Sequence, residues 1–309
     1  MLSPMPPAKP QSTEPNPDPD LPAQHAALDL GPALYLVATP IGNLEDITLR
    51  ALRVLKGVDV IACEDTRQTQ KLLQHYGIPT RTISYHEHNE RERAEQLAGD
   101  FAKGVRIAIV TDAGMPGISD PGFRLVNEAI ARRVPVIPIP GASAFLSALA
   151  ASGLPTDAFE FRGFLPAKRG ERRTALEKIS ASEVTQVFYE APHRLVESLS
   201  DMVAVLGESR PVVVAREVTK LHEEFLRGTA GEVLRTLEAR GDVKGEITLL
   251  VGKAASSELR APRPNLTITQ RVQQIMSEEQ VDEKAALKKV AKELGVSKSE
   301  AYRQWQREK

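Results

Sequence analysis

The chain has 309 residues, of which 41% are hydrophobic and 26% charged, a composition typical of a soluble protein with room for two domains. It contains a single cysteine, Cys63, which excludes a disulfide framework, a zinc knuckle and an iron–sulfur cluster. With 40 basic and 41 acidic residues the net charge is −1, and this overall charge favours no particular class of partner.

The N-terminal segment is rich in proline, which accounts for eight of the first 22 residues. Because few apolar residues lie between the prolines, the segment cannot bury enough surface to offset the entropy of ordering. We therefore predict that residues 1–31 are disordered. No apolar signal segment and no run of about 18 apolar residues is present, so we expect a cytoplasmic protein that does not cross a membrane.

Short apolar runs alternate with helix-length amphipathic segments over residues 32–153. Runs that are apolar nearly throughout are typical of strands buried on both faces of a parallel sheet. The alternation predicts an N-terminal α/β domain with a doubly wound parallel sheet. The predicted strands are 34–39, 58–63, 106–111 and 134–139, and the predicted helices are 47–56, 66–76, 89–103, 122–133 and 143–152.

The pattern changes after residue 153, and two β-rich runs then follow each other closely. Residues 154–254 therefore predict a second, mixed α/β domain with some antiparallel pairing. Its predicted strands are 184–189, 211–218, 222–228 and 246–251, and its predicted helices are 171–180, 193–206 and 230–240. A linker is predicted over residues 255–265, followed by a wholly helical unit over 266–309.

Two stretches of this neutral chain are locally basic. Residues 162–178 hold six Lys/Arg against two Glu, and residues 285–306 predict a helix-turn-helix, in which Gly295 follows one helix and Ser297 begins the next. The alternatives are a solvated helix face for the first stretch and a small packing bundle for the second. Basic side chains favour contact with nucleic acid over the bundle; they are Lys288, Lys289, Lys292, Lys298 and Arg303.

The unusual residues of the first domain directly follow its predicted strands. Ligands of an open parallel sheet bind beyond the carboxyl ends of the strands, so four such loops favour a small-ligand cleft over purely geometric connections. Patterns typical of dinucleotide-binding, P-loop, hydrolase and metal sites are absent. The four loops are Thr39–Asn43, Glu64–Arg67, Asp112–Gly122 and Pro140–Ala144.

Eight motifs occur in order over residues 33–253: TPIGNLEDIT, CEDTR, DAGMPGISDPG, PGASA, RGF, YEAPHR, AREVTKLHEE and KGEITLLVG. Together they resemble the tetrapyrrole-methylase superfamily (class III) of S-adenosylmethionine (SAM) methyltransferases. Within it, the chain is most similar to the enzymes that methylate the ribose 2′-oxygen of a cytidine in 16S ribosomal RNA of the small subunit. Met115 and Gly117 depart from the expected Thr and Leu.

The resemblance implies two α/β domains with the SAM cleft between them, and a C-terminal helical extension. It also implies a homodimer that acts on 16S ribosomal RNA or on the assembled small subunit. Because no His/Cys cluster has the spacing of metal ligands, we expect no catalytic metal. The residues that the resemblance places at the cofactor are Ile41, Gly42, Asp112, Ala113, Gly114, Met115, Ser143, Ala144, Glu190 and Ala215. Asp112 is expected to accept a hydrogen bond from the cofactor's ribose or ammonium group.

Methyl transfer to a ribose hydroxyl needs a proton acceptor, and a carboxylate tuned by a nearby cation can serve. The candidates are Asp65, with Glu64 and Arg67 beside it, and Glu190 with His193. The alternative for Asp65 is a capping role at the start of the following helix. Two rival functions are a precorrin-type small-molecule methyltransferase and a nucleic-acid-binding regulator that uses the α/β body as a ligand sensor.

Overall fold

The computed structural model describes residues 30–254, 268–279, 281–293 and 298–308. The predicted linker, 255–265, and all but the last two residues of the predicted tail, 1–31, lie outside these ranges. The chain divides into two compact units between Ala144 and Phe145. The predicted boundary at residue 153 stays a prediction, and each unit is described below by itself.

The first unit is built on a five-stranded sheet in which every pairing is parallel, in the order β3-β2-β4-β1-β5. This confirms the predicted doubly wound architecture. Its strands are β1 (Leu34–Val37), β2 (Val60–Cys63), β3 (Thr82–Ser84), β4 (Ile107–Val110) and β5 (Val136–Ile139). Its helices are α1 (Leu49–Gly57), α2 (Thr66–His75), α3 (Glu90–Phe101) and α4 (Phe123–Ala131), with a 3-10 turn at Leu44–Asp46.

Hydrophobic clusters cover both faces of this sheet. Tyr35 and Val37 of β1 pack in one cluster with α1 and α2, whereas Leu34 packs in another with α3 and α4. Successive side chains of a strand point to opposite faces, so a strand buried on both sides must be apolar nearly throughout. The apolar runs in the sequence therefore identified the central strands, while the half-buried edge strand β3 was not predicted.

The second unit contains a mixed sheet in the order β6-β7-β10-β8-β9. Only β6 and β7 pair in parallel, and the other pairings are antiparallel, as predicted for this region. The strands are β6 (Phe159–Phe164), β7 (Thr185–Glu190), β8 (Pro211–Arg216), β9 (Glu224–Thr229) and β10 (Ile247–Val251). The helices are α5 (Ala144–Ser152), which begins at the last residue of the first unit, α6 (Arg169–Ile179), α7 (Leu195–Leu206) and α8 (Ala230–Arg240).

The two faces of this second sheet are covered differently. Helices α6, α7 and α8 share one cluster with the side chains of Phe188 and Leu249, and α5 shares another with Val187 and Ala215. The α5 side and the α6–α8 side are therefore distinct surfaces, and the position of a residue along its strand decides which one it faces.

Three helices follow, α9 (Ile268–Glu279), α10 (Glu283–Glu293) and α11 (Lys298–Glu308). Val272, Val290 and Trp305 pack in one cluster, so α9 packs with both helices of the predicted helix-turn-helix. The predicted turn, with Gly295 and Ser297, lies outside the described residues, as do the side chains of Lys292 and Lys298. None of the helices in the described part of the chain has the length and apolar character that crossing a bilayer requires.

Candidate functional site

Hydrogen bonds join two of the predicted loops, and the strand end that precedes a third, at the carboxyl edge of the first sheet. The backbone N–H groups of Thr39 and Gly114 each donate to the carbonyl oxygen of the other, at 2.9 and 3.0 Å. The Thr39 hydroxyl donates to the Thr111 carbonyl oxygen at 3.0 Å, and Ala38 N donates to the carbonyl oxygen of Ile139 at 3.2 Å. The loops that leave β1, β4 and β5 are therefore held against one another.

Two glycines allow this close approach. Gly114 has a φ of +85°, and a Cβ there would lie 3.6 Å from Ile41 Cγ2 and 3.8 Å from the Ala142 carbonyl oxygen. A Cβ on Gly141 would lie 2.9 Å from Ala38 Cβ, closer than real Cβ atoms approach. The structure thus brings Ile41, Gly114 and the turn at Ala142 together. The role of Ile41 and Gly114 at the cofactor stays a prediction.

Four carboxylates follow β2 and β4 at the same edge of the sheet. The backbone N–H of Asp65 donates to Asp112 Oδ1 at 3.2 Å, and the Thr111 hydroxyl donates to Glu64 Oε2 at 3.2 Å. Asp120 is close enough to Glu64, Asp112 and Thr111 for each of them to affect its pKa. We call Glu64, Asp65, Asp112 and Asp120 the acidic edge. The sequence predicts the first three as site residues and gives Asp120 no role beyond its place in the loop.

The pKa values of the acidic edge diverge. Burial, followed by the negative charge of Glu64, raises the pKa of Asp120 to about 6. Burial also raises the pKa of Asp112. Hydrogen bonds from Arg67 lower the pKa of Asp65 to about 2. At neutral pH, Asp65 is thus the weakest base of these three carboxylates.

Asp65 occupies the N-cap position of α2. Its side chain accepts hydrogen bonds from the Arg67 backbone N at 2.8 Å and from Arg67 Nε and Nη2 at 3.1 and 2.8 Å. The alternative interpretation of the EDTR motif, a helix cap, is therefore confirmed. The catalytic role of Asp65, with Glu64 and Arg67, stays a prediction.

In the second unit, Glu190 is buried at the end of β7 and has three hydrogen-bond or ion-pair partners. Its carboxylate accepts from Ser198 Oγ at 2.6 Å and from Ala191 N at 2.8 Å, and it pairs with Arg194 Nη2 at 2.6 Å. The cation beside Glu190 is thus Arg194, whereas His193 is exposed in the 3-10 turn Pro192–Arg194. These contacts are typical of a carboxylate that fixes the start of α7.

Ala215 faces the opposite side of the second sheet from the Glu190 carboxylate. Thr248 of β10 lies in register between Tyr189 and Ala215, and the Ala215 side chain packs with the α5 cluster. Glu190, one residue beyond Tyr189, bonds to Ser198 of α7 on the other side. The structure therefore does not bring the side chains of Glu190 and Ala215 together, although the resemblance implies that both line the cofactor site.

Comparisons with known proteins agree with the motifs. Residues 33–234 match the family model described as Tetrapyrrole (Corrin/Porphyrin) Methylases. A protein of Halalkalibacterium halodurans named Ribosomal RNA small subunit methyltransferase I is 49% identical over 87% of this chain and 93% of its own length. Its namesake in Escherichia coli O157:H7 is 50% identical over 76% of this chain and 83% of its own length.

Solved structures share the fold at low sequence identity. The crystal structure of diphthine synthase has a TM-score of 0.57 at 12% identity, over 74% of this chain and 92% of its own. Cobalt precorrin-4 methyltransferase gives 0.52 at 17% identity, over 72% and 95%. Uroporphyrin-III C-methyltransferase from Thermus thermophilus, complexed with S-adenosyl homocysteine, gives 0.50 at 21% identity, over 72% and 98%. At these identities the likeness concerns the fold alone.

Proposed function

The chain belongs to the tetrapyrrole methylase family, and we propose that it transfers a methyl group from SAM to the 2′-oxygen of a cytidine ribose in 16S ribosomal RNA. The observation that carries this proposal is the set of relatives named Ribosomal RNA small subunit methyltransferase I. They are 44% to 52% identical to this chain and match 71% to 89% of it. The chain is accordingly a SAM-dependent ribosomal RNA methyltransferase. That the methyl acceptor is the 2′-oxygen of a cytidine is what we propose beyond this.

The carboxyl edge of the first sheet fits SAM in charge. SAM carries a sulfonium and an ammonium against one carboxylate, so the carboxylates of Asp112 and Asp120 complement its net positive charge. At Gly114 and Gly141 the loops that leave β1, β4 and β5 approach one another closely. When bound, SAM supplies the activated methyl group. The residues of this unit that would hold it are Ile41, Gly42, Asp112, Ala113, Gly114, Met115, Ser143 and Ala144.

The attacking hydroxyl must lose its proton as the new bond forms. Asp65 is poorly suited to accept that proton, because its pKa is about 2 and its carboxylate is bound to Arg67. Glu190 is enclosed by its three partners. Asp120, whose pKa is raised to about 6, is a stronger base and lies in the loop that follows β4. Asp120 is therefore the proposed proton acceptor, and Glu190 with Arg194 is proposed to position the YEAPHR turn.

The proposal includes a cytoplasmic homodimer that acts on naked 16S ribosomal RNA or on the assembled small subunit. Two exposed apolar side chains on one face of α4, Phe123 and Ile130, support a contact between subunits. The local positive charge of residues 162–178 supports a phosphate-bearing substrate, because a lone small-molecule acceptor needs no such stretch.

The test is methyl transfer by the purified protein from methyl-tritiated SAM. Ribosomal RNA and small subunits from cells without the gene are offered in parallel, and the RNA is digested for mass spectrometry of its nucleosides. We expect label in 2′-O-methylcytidine. Transfer to a tetrapyrrole acceptor but not to RNA would support the small-molecule rival. Strong binding to a defined duplex without SAM, and no transfer, would support the regulator.

A further inference from the structure

An exposed aromatic ring stands at the carboxyl end of β6, the edge strand of the second sheet. Phe164 is 57% exposed, and it is the last residue of a strand whose one pairing partner among the described residues is β7. A large apolar side chain held in water at a sheet edge stabilises nothing by its exposed part. Apolar side chains exposed singly are common at protein surfaces, so what Phe164 can bind depends on the groups around it.

A β-bulge sets the direction of this ring. Phe161 lies opposite Val187 of β7, so regular pairing would put Gly163 opposite Tyr189. The register shifts at Gly163, which has a φ of +65°, and Phe164 takes the place opposite Tyr189. Because a shift by one residue turns a side chain to the other face, the bulge moves Phe164 from the α6–α8 side to the α5 side.

The Phe164 ring packs against a row of other aromatic rings. The centroids of the Phe164 and Tyr189 rings are 5.6 Å apart, and those of Tyr189 and Phe161 are 5.0 Å apart. Phe161 in turn stacks on Phe145 of α5 at 4.5 Å. Phe164 is thus the exposed end of a row of four rings, and its orientation is fixed before any ligand arrives.

Basic side chains follow within a few residues of the ring. Lys168 and Arg169 are exposed, and so is Arg173, which has no acidic partner among the described residues. The buried guanidinium of Arg172 donates to the Ala167 carbonyl oxygen at 3.2 Å and to Asp201 Oδ2 at 2.9 Å. This clamp fixes the short connection between Phe164 and α6. Because α6 packs on the α6–α8 side and the ring faces the α5 side, the cations lie across the edge strand from the ring.

We propose that Phe164 is a stacking platform for an unpaired base of the RNA substrate, and that Lys168, Arg169 and Arg173 bind phosphates of the same strand where it passes around the edge of the sheet. Aromatic faces and cations are the two kinds of group by which proteins hold single-stranded nucleic acid. This inference rests on the proposed function and adds the surface that holds the strand.

The platform binds a nucleotide close to the one that is methylated, not the methylated nucleotide itself. Phe164, Tyr189, Thr248 and Ala215 lie in one row across four neighbouring strands. With strands about 4.8 Å apart, Phe164 is roughly 14 Å from Ala215, which the resemblance places at the cofactor. Stacking there orients the strand while leaving the reacting ribose free.

The first test compares Phe164→Ala and Phe164→Trp with the intact protein. Binding is measured by fluorescence anisotropy with an unstructured single-stranded RNA of about 10 nucleotides and with a duplex RNA of the same length. We expect Phe164→Ala to weaken single-strand binding about 10-fold and duplex binding much less, and Phe164→Trp to retain both. The control is Phe159→Ala at the other end of β6, a phenylalanine with 38% exposure, which should leave both affinities unchanged.

The second test addresses the phosphates through the salt dependence of RNA binding. Arg173→Ala should reduce the slope of log affinity against log salt by about one, whereas Arg235→Ala, an exposed arginine of α8, should not. In methyl transfer, Phe164→Ala should raise KM for RNA while calorimetry shows unchanged SAM binding. Unchanged single-strand affinity and KM in Phe164→Ala would overturn the platform.

Two further outcomes separate this inference from its alternatives. If Phe164→Ala changes the molar mass of the protein in light scattering, the ring is covered by a second copy of the chain, and the platform is refuted. If single-strand binding depends on Phe164 but the intact protein transfers no methyl group to ribosomal RNA, the platform stands and the proposed function fails. If the intact protein methylates ribosomal RNA and this transfer does not depend on Phe164, the proposed function stands and the platform fails.

Discussion

At Asp120, partial burial and the nearby charge of Glu64 raise the carboxyl pKa to about 6, against about 3.9 for an unperturbed aspartate. The folded chain therefore holds this proton more tightly than the unfolded chain does. The resulting contribution to stability is fully present below about pH 4 and is lost as the pH rises through about 6. An ionised Asp120 thus destabilises the fold at neutral pH, which is a common property of functional carboxylates.

We expect Asp120→Asn to be more stable and less active than the intact protein. At pH 8 the free energy of unfolding should rise by about 1 kcal/mol, a value reduced for the partial exposure of the group, and at pH 4 the difference should vanish. Methyl transfer should fall by about 100-fold or more. Urea unfolding at the two pH values and single-turnover rates check this, and a less stable Asn variant at pH 8 would contradict it.

Unlike Asp120, Asp65 is expected to contribute to stability and little to catalysis, because its carboxylate caps α2 and its pKa is already about 2. Asp65→Asn keeps a capping oxygen and should show near-normal thermal unfolding, whereas Asp65→Ala should unfold at a lower temperature. Neither variant should lose more than about 10-fold in turnover, since the effect on catalysis is indirect. A folded Asn variant without measurable transfer would place Asp65 in the reaction itself.

Among the elements, α6 and α7 are joined by a buried ion pair. Arg172 and Asp201 are both almost completely buried, and Arg172 Nη2 lies 2.8 Å from Asp201 Oδ2. Arg169 also donates to Asp201, from a largely exposed position. Such a pair adds little net stability compared with apolar residues, but removing Arg172 leaves the buried carboxylate of Asp201 with only the largely exposed Arg169 as its cation.

We therefore expect Arg172→Met to lower the free energy of unfolding by about 3 kcal/mol, and the double variant Arg172→Met/Asp201→Leu to recover most of the loss. Denaturant unfolding of the single variants and of the double variant measures the coupling between the two sites. If both single variants are as stable as the intact protein, the pair does not hold α6 against α7.

The sequence predicted the central strands of both sheets and missed one edge strand of each. In β1, β2 and β4 the apolar run is required by burial on both faces. Strand β3 has three half-buried residues, and only Ile83 among them is apolar. In strand β6, four of the six residues are exposed and the other two are half-buried, and the strand contains the bulge at Gly163. At an edge, pairing comes from the neighbouring strand, and a single sequence carries no record of that neighbour.

The position of the site could be predicted, whereas its electrostatics could not. Parallel strands end at the same edge of a sheet, so the four loops had to meet. The raised pKa of Asp120 depends on burial and on Glu64, a residue 56 positions earlier in the chain. Likewise, the choice of Arg194 and Ser198 as the partners of Glu190 depends on how α7 packs against β7.

For the molecule as a whole, a net charge of −1 conceals two basic regions at opposite ends of the second unit's sequence. One is the α6 segment beside Phe164, and the other is the C-terminal helices, where Lys288 of α10 and Arg307 of α11 are exposed. Affinity for RNA depends strongly on local cations, because each phosphate that is neutralised releases counterions. A nearly neutral chain can therefore bind RNA through separated patches, and each patch contributes its own part of the salt dependence.

The contribution of the C-terminal helices is tested with the double variant Lys288→Ala/Arg307→Ala. If both cations contact phosphates, the slope of log affinity against log salt should become shallower by about two, while SAM binding stays the same. The matched control is Lys56→Ala/Lys71→Ala on α1 and α2, which removes the same charge from exposed positions of the first unit. Both proteins have the same net charge, so a difference between their slopes reports the location of the charge. Equal slopes in the two variants would assign the C-terminal helices to packing, the alternative that the sequence left open.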